Sequence, residues 1–186
     1  WSPISSLQFR GNFQNVPRAP NISELFNTQV TGLGNFSVDP CTGNAPNGNA
    51  DLLAVCLAQG APATTIGGIV VDPAGQVNQT SGGNLNLAAE KADTYTIGAI
   101  FQPEAFPGLS LTVDYYNIKV EDAITSPTPD DVFSACFGPG FDSGNYTLTS
   151  ASAASAACTG IRRNPETGNL FGNVATTFGL PTVLTN

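Results

Sequence analysis

The sequence predicts an all-β fold: a partial, antiparallel, up-and-down transmembrane β-barrel of about three strands, with long outer loops that carry short helices. Three observations support this prediction. Apolar and polar residues alternate over three separate stretches, only 11% of the residues are charged, and long and short connections alternate between the stretches. Alternation with a period of two places one face of each strand against an apolar environment and the other against a polar one.

The strongest alternation lies between Lys91 and Asp122. It predicts two strands, near residues 92–102 and 109–120, joined by a short turn at 103–108, where Pro and Gly are concentrated. The face predicted to meet lipid carries Tyr95, Ile97, Phe101, Leu109, Leu111, Val113 and Tyr115. The opposite face carries Asp114 and Tyr116, which become candidates for contact with a ligand in the barrel lumen.

An earlier strand is predicted near residues 5–15, where Leu7, Phe9 and Phe13 alternate with polar residues. Arg10 and Asn12 lie on its polar face and are further lumen candidates. We expect this strand to lie beside the strand near 92–102.

The alternation also predicts the register of the hairpin. If odd-numbered residues of both strands share the apolar face, the numbers of paired residues must sum to an even value. Tyr95 opposite Tyr115 or Asn117 satisfies this condition, whereas Tyr95 opposite Tyr116 would require a bulge.

Aromatic residues lie at both ends of the predicted hairpin. Phe101 and Phe106 flank the turn, and Tyr95 and Tyr115 lie at the far ends of the strands. This distribution is typical of the two aromatic girdles of a membrane barrel, although aromatic residues are common in any strand.

The composition excludes several classes of protein. Soluble domains carry about 25% charged residues, and no stretch approaches the ~20 apolar residues of a transmembrane helix. The net charge of −8 argues against a nucleic-acid partner. Because the chain contains no His, a Ser-His-Asp or Cys-His arrangement is unavailable, and neither an enzyme nor a cofactor is predicted.

The connections at residues 16–90 and 121–186 are predicted to be long outer loops with short helices. Asn21 is a candidate helix cap, and residues 50–59 have apolar residues at helical spacing followed by Gly60. Thr128 with Pro129 after it predicts a second helix start, and the Ala/Ser-rich run at 150–157 predicts a further short helix.

The four cysteines are predicted to form two disulfides, although four cysteines allow three connectivities. We favour local pairing of Cys41 with Cys56 and of Cys136 with Cys158, because the other pairings would tie together loops on either side of the hairpin. Two disulfides imply an oxidising compartment.

Some loop residues raise the question of ligand or metal binding. Arg162 and Arg163 form a basic pair that would suit an anionic ligand or lipopolysaccharide, and a solvated pair at the base of a loop is an equally good interpretation.

Oxygen-bearing side chains, which could ligate a metal ion, occur at Asn47, Asn49, Asp51, Glu121, Asp122, Asp130 and Asp131. Their spacing does not match a calcium loop, so capping and solvation are the favoured interpretations, and no metal is predicted.

Three stretches together resemble the barrel of TonB-dependent outer-membrane receptors. Arg18–Asn21 followed by Glu24–Phe26 is similar to a strand end and the start of an outer loop in that family. Glu90–Gly98 resembles a strand entry, and Pro107–Ile118 resembles the next strand. The match departs from the family pattern at Val16-Pro17 and Ala88-Ala89, both at strand ends.

The resemblance implies active uptake of a scarce nutrient, such as a siderophore, cobalamin or saccharide, across a bacterial outer membrane. It also implies partners: outer-membrane lipid, the rest of the barrel and its plug, and the TonB energy-coupling complex. We expect residues 1–186 to be an incomplete segment of the barrel domain, without the plug or the TonB-contacting box. The alternative is a soluble, secreted, disulfide-bonded β-rich binding module or adhesin.

Overall fold

A computed structural model describes residues 1–172 and 178–186 of the chain. The strands and helices, in chain order, are β1 (Leu7–Arg18), α1 (Ile22–Phe26), β2 (Val30–Asn35), α2 (Ala50–Ala58), β3 (Gln76–Ser81), β4 (Glu90–Phe101), β5 (Leu111–Glu121), α3 (Pro129–Phe137), α4 (Ala156–Thr159) and β6 (Leu180–Pro181). Short 3₁₀ turns occupy Ala45–Gly48, Phe141–Ser143 and Ser152–Ala154. No helix in the described part of the chain has both the length and the apolar character needed to cross a membrane.

The chain divides into two compact units. The sheet unit comprises Trp1–Asn21, Asn86–Ile124 and Asn186, and contains β1, β4 and β5. The loop unit comprises Ile22–Leu85 and Thr125–Thr185, and contains the four helices together with β2, β3 and β6.

In the sheet unit, β1, β4 and β5 form an antiparallel sheet in the order β1-β4-β5. Tyr95 pairs with Asn117 on one side and Phe13 on the other, and the pairing continues without interruption along all three strands. Paired residues therefore have numbers that sum to an even value. The predicted register is confirmed, and so is the position of the first strand beside the second.

This register places the apolar residues of all three strands on one face. Four consecutive rows across the sheet are Leu7-Phe101-Leu111, Phe9-Ala99-Val113, Gly11-Ile97-Tyr115 and Phe13-Tyr95-Asn117. Within the unit, Trp1 stacks on Phe9 with ring centroids 6.0 Å apart, and most of the face is left open: Val113 is 63% exposed and Tyr115 66% exposed. None of the buried apolar residues that the structure describes belongs to the sheet unit.

The turn between β4 and β5 is longer than predicted. The last strand pair is Phe101 with Leu111, and the amide of Leu109 donates to the carbonyl of Phe106 inside the turn, 3.1 Å away. Leu109 was expected to be the first residue of its strand, on the lipid face. The strand begins two residues later, because the backbone of Leu109 is engaged in the turn. Contact of Leu109 with lipid stays a prediction.

The loop unit contains a second sheet that the sequence pattern does not predict. In the order β2-β3-β6, β2 is antiparallel to β3, and β6 is parallel to β3. Predicting residues 16–90 and 121–186 as loops with helices alone was therefore incomplete. The strands are short and rich in Gly and polar residues, so they lack the alternation by which strands are recognised.

The helices of the loop unit begin at strong caps. The side chain of Asn49 accepts a hydrogen bond from the Leu52 amide at the start of α2. At the start of α3, Thr128 and Asp131 form a reciprocal capping box, with Pro129 in the first turn. These local interactions satisfy backbone amides that have no partner inside the helix, so the two longest helices form close to where the sequence predicts them.

The core of the loop unit is apolar and carries both disulfides. Phe133 of α3 lies at its centre, with ring centroids 5.9 Å from Phe36, 6.1 Å from Phe137 and 5.7 Å from Phe141. The disulfides join Cys41 to Cys56 of α2, and Cys136 of α3 to Cys158 of α4. This is the local pairing favoured from the sequence. The long connections thus fold into a unit with its own core.

The capping box should make α3 sensitive to acid. The hydroxyl and then the amide of Thr128 donate to the Asp131 carboxylate, and these hydrogen bonds lower the pKa of Asp131 despite an opposing effect of burial. A lowered folded-state pKa means that the stabilisation is present above the ordinary Asp pKa of about 4 and is lost as the pH falls through the folded value.

We therefore expect Asp131→Asn to destabilise the protein at pH 6 and to destabilise it less as the pH falls below about 4. Thr128→Ala should lower the free energy of unfolding by about 1 kcal/mol at pH 6. Guanidinium unfolding of the disulfide-intact protein across this pH range measures both effects. A constant difference between Asp131→Asn and the parent across the range would contradict the role of the carboxylate.

Candidate functional site

The polar face of the sheet unit brings together four of the predicted ligand-contacting residues. Arg10 pairs with Gly98 and Gly98 with Asp114, and the next row along the sheet is Asn12-Thr96-Tyr116. All four candidate side chains therefore lie on one face, in two adjacent rows, and all are exposed. Contact with a ligand remains a prediction for them.

Arg10 and Asp114 form an ion pair across the central strand. The Nε of Arg10 donates to Oδ1 of Asp114 at 2.8 Å, and its second nitrogen donates to Oδ2. The pair joins β1 to β5 directly over β4. Any anionic ligand at Arg10 must therefore compete with a carboxylate already in place.

Gly98 makes this ion pair possible. A Cβ at this position would overlap Oδ1 of Asp114 and lie 2.9 Å from Nε of Arg10. The pair covers Gly98, which is buried although both neighbouring strands are exposed. The sequence analysis did not predict a role for Gly98. A glycine inside a strand with clear alternation often marks a place where other groups approach the backbone closely, and this could have indicated it.

The apolar face changes character abruptly at one level of the sheet. Beyond the row of Phe13, Tyr95 and Asn117, the next rows are Asn15-Asp93-Lys119 and Pro17-Lys91-Glu121. Phe13 and Tyr95 pack together at the boundary, with ring centroids 4.8 Å apart.

The polar face carries a single apolar row near the same level, Val16-Ala92-Val120. It lies between the mixed row Gln14-Thr94-Ile118 and the ion pair of Arg18 with Glu90. The change of polarity along the strands is therefore clear on the apolar face alone.

In the loop unit, Arg163 is buried and does not project towards a ligand. It is 3% exposed, and its two terminal nitrogens donate to the two carboxylate oxygens of Asp39 at 2.7 and 2.6 Å. Its Nε donates to Oε1 of Gln59 at 2.8 Å, and it also donates to the carbonyl of Gly168 at 3.1 Å. The expectation of an exposed basic pair at 162 and 163 is therefore wrong for Arg163, because a buried carboxylate already satisfies its charge.

Arg163 connects the segments that carry the two disulfides. Asp39 lies two residues before Cys41, and its Oδ1 accepts the Cys41 amide at 3.0 Å. Gln59 follows α2, which contains Cys56, and Arg163 itself lies five residues after Cys158. One guanidinium thus holds together both ends of the first disulfide loop and the end of the second.

Arg162 has the opposite environment. It is exposed, and its backbone pairs with Gly179 through hydrogen bonds of 3.0 and 2.7 Å. It lines a cavity of about 380 Å³ in the loop unit, together with Thr80, Thr159 and Phe178. Of the two arginines proposed as ligand contacts in the loops, Arg162 is the one that is exposed.

Several of the oxygen-bearing side chains named above have structural partners. The side chain of Asn49 caps α2 and that of Asp131 caps α3, while Asp130 accepts from the amide and hydroxyl of Ser37. Within residues 1–172 and 178–186, no group of three or more His, Cys, Asp or Glu side chains is placed to hold a metal ion.

These features define a protein with two parts: an exposed amphipathic sheet, and a unit that is cross-linked by two disulfides and formed by the long connections between the strands of that sheet. A family model described as "TonB dependent receptor-like, beta-barrel" matches residues 1–180. The chain belongs to this family of receptor barrels. No curated protein and no solved structure matches it in the corresponding comparisons.

The role of Gly98 can be tested against a second strand glycine, Gly11. A Cβ at Gly11 has space, its nearest neighbour being the Thr96 carbonyl at 3.8 Å, whereas a Cβ at Gly98 would displace the Arg10–Asp114 pair. Replacing a strand glycine with Ala is otherwise favourable by about 0.5–1 kcal/mol. We expect Gly98→Ala to be less stable than Gly11→Ala, because Arg10 and Asp114 must move apart to make room for the added methyl group.

The measurement is the free energy of unfolding of the full-length protein refolded into detergent micelles. Equal stabilities for the two variants would show that Gly98 does not accommodate the ion pair.

Neighbouring arginines provide a matched test of the buried pair. Arg163→Ala leaves the Asp39 carboxylate buried without its counter-charge, so we expect a loss of about 3–5 kcal/mol in the free energy of unfolding. Arg162→Ala removes an exposed side chain and should change it by less than about 0.5 kcal/mol. Chemical denaturation of the oxidised protein measures both, and similar losses in the two variants would refute the assigned environments.

Proposed function

We propose that this chain forms part of the membrane wall and outer loops of a receptor that binds a scarce nutrient and imports it across the bacterial outer membrane with energy from the TonB system. Family membership supports the receptor class. The observation that carries the membrane assignment is the exposed apolar face of the sheet unit, which ends sharply at a row of aromatic and polar residues.

The dimensions of that face suit a bilayer. From the row of Leu7 to the row of Phe13, six residues of strand rise about 20 Å. Strands of membrane barrels tilt by about 40°, which gives about 15 Å of depth, and the exposed turn residues Phe106 and Leu109 extend the apolar surface further. The apolar band of known membrane barrels is about 25 Å tall.

The change of polarity along the strands supports an orientation. The apolar rows begin at the turn between β4 and β5, and the charged rows lie at the end of the strands that leads to the long connections. Short turns face the periplasm in outer-membrane barrels and long loops face the exterior. We assign the turn to the periplasmic side and Tyr95 to the outer aromatic girdle.

The polar face then lines the interior of the barrel. In this arrangement the Arg10–Asp114 pair braces adjacent wall strands and presents hydrogen-bonding groups to the lumen. Asn12 and Tyr116 extend the same polar surface by one row. Transported ligand or plug would meet these residues, and the lipid would meet Ile97, Val113 and their neighbours.

A soluble secreted binding module is the second candidate. The loop unit favours it, since that unit has its own apolar core and two disulfides. The sheet unit opposes it, because a contiguous apolar face of this kind is rarely left exposed to water in a soluble monomer. Both candidates place the disulfides in an oxidising compartment.

The two candidates differ at Val113, in the middle of the apolar rows. In the membrane, Val113→Arg should cost about 2–4 kcal/mol and reduce assembly of the full-length protein. Thr112→Arg, one residue earlier and on the opposite face, is the matched control and should assemble normally. The measurement is the fraction of heat-modifiable, folded receptor in isolated outer membranes. Equal assembly of both variants would exclude contact between Val113 and lipid.

A further inference from the structure

Arg162 differs from every other basic residue of this acidic chain. Five of the six basic side chains pair with a carboxylate: Arg10 with Asp114, Arg18 with Glu90, Lys91 with Asp122, Lys119 with Glu121, and Arg163 with Asp39. Within the part of the chain that the structure describes, the Arg162 guanidinium has no ion-pair or hydrogen-bond partner. Its five N–H donors are therefore available to an external acceptor.

The backbone of Arg162 is held firmly in position. It exchanges two hydrogen bonds with Gly179, and the next residue is the buried Arg163. Gly179 has a φ of 137°, and a Cβ there would lie 2.6 Å from the carbonyl oxygen of Asn78. Since only glycine fits at that position, the strand segment opposite Arg162 is closely constrained, and the base of its side chain is preorganised.

The cavity beside Arg162 has the properties of a small-molecule site. Its volume of about 380 Å³ falls within the range of pockets that hold organic ligands. Its apolar wall is made by Phe178, Leu180, Pro181 and Val183, and none of its described lining residues is acidic.

Other polar groups around the cavity are already engaged. The Thr159 hydroxyl donates to the carbonyl of Ser155 at 2.9 Å, and the Gln29 amide donates to the carbonyl of Gly83 at 3.1 Å. Recognition of a negative charge in this cavity would therefore depend mainly on Arg162.

We propose that this cavity binds an organic anion, with a carboxylate or phosphate group on Arg162 and an apolar body against Phe178 and Val183. An Arg fork matches the geometry of both groups and forms charge-assisted hydrogen bonds to them. The inference rests on the proposed receptor function, of which it specifies the ligand class. It places a ligand contact in the loop unit, separate from the polar face of the sheet.

The same anionic chemistry occurs in free organic acids and in the phosphorylated lipid of the outer leaflet. We assign the free acid, because a cavity of about 380 Å³ accommodates a small apolar group and not a lipid with several acyl chains. Purified lipopolysaccharide is therefore included in the test as a separate arm.

The experiment measures binding of benzoate and phenyl phosphate to the full-length receptor in detergent micelles, by saturation-transfer NMR titration. Benzamide is the neutral counterpart of benzoate. We expect both anions to bind, benzamide to bind at least tenfold more weakly, and Arg162→Gln to weaken binding of the anions by about tenfold to a hundredfold. Arg162→Lys, which keeps the charge without the fork, should give an intermediate affinity.

Lys119→Gln is the matched control, because it removes one positive charge from an exposed position outside the cavity. It should leave the affinity for both anions unchanged. Equal weakening by Lys119→Gln and Arg162→Gln would indicate a general charge effect and would overturn the proposal. Absence of binding by either anion, or Arg162-dependent binding of lipopolysaccharide alone, would also overturn it.

The anion-binding test and the Val113→Arg assembly test can fail independently of each other. Normal outer-membrane assembly without Arg162-dependent anion binding rejects only the ligand class. Anion binding combined with full tolerance of Val113→Arg rejects only the membrane wall.

Discussion

The uninterrupted odd-with-odd register of β1, β4 and β5 is the constraint on which the sheet unit depends. Because side chains alternate between faces, a shift of one residue in either pairing would transfer an entire strand's apolar residues to the polar face. The observed pairing aligns Phe9 with Ala99 and Val113, and it also aligns Arg10 with Gly98 and Asp114. The same register thus produces a continuous apolar surface and an ion pair that connects the two outer strands over the central one.

A different interaction organises the loop unit. Arg163 is held by Asp39 and Gln59, so its guanidinium connects the two flanks of the Cys41–Cys56 loop with the segment that follows Cys158. A buried charge is tolerated there because each part of the guanidinium fork has an acceptor. The disulfides restrict the unfolded chain, while the ion pair and the aromatic cluster around Phe133 specify how the stapled segments pack.

The local features of the fold were largely predictable. The start of α3 at Thr128, the helix at 50–59 and the hairpin register all depend on residues close in sequence or on simple alternation. The second sheet was not predictable, since β2 and β6 contain glycine and proline and the β3–β6 pairing joins residues about a hundred positions apart. The role of Gly98 was not predicted for a related reason. Arg10 and Asp114, which leave no room for a side chain at position 98, lie on two other strands.

The sequence by itself determined which faces of the strands are apolar, because side-chain direction in a strand follows directly from residue order. It also determined where the main helices begin, because a cap and the amides that it satisfies lie within one turn. Only the tertiary structure decided between the adjacent residues Arg162 and Arg163. The partner that buries Arg163 is Asp39, 124 residues away, and no local pattern distinguishes it from its exposed neighbour. Long-range pairing thus left one arginine neutralised in the core and the other available at a cavity.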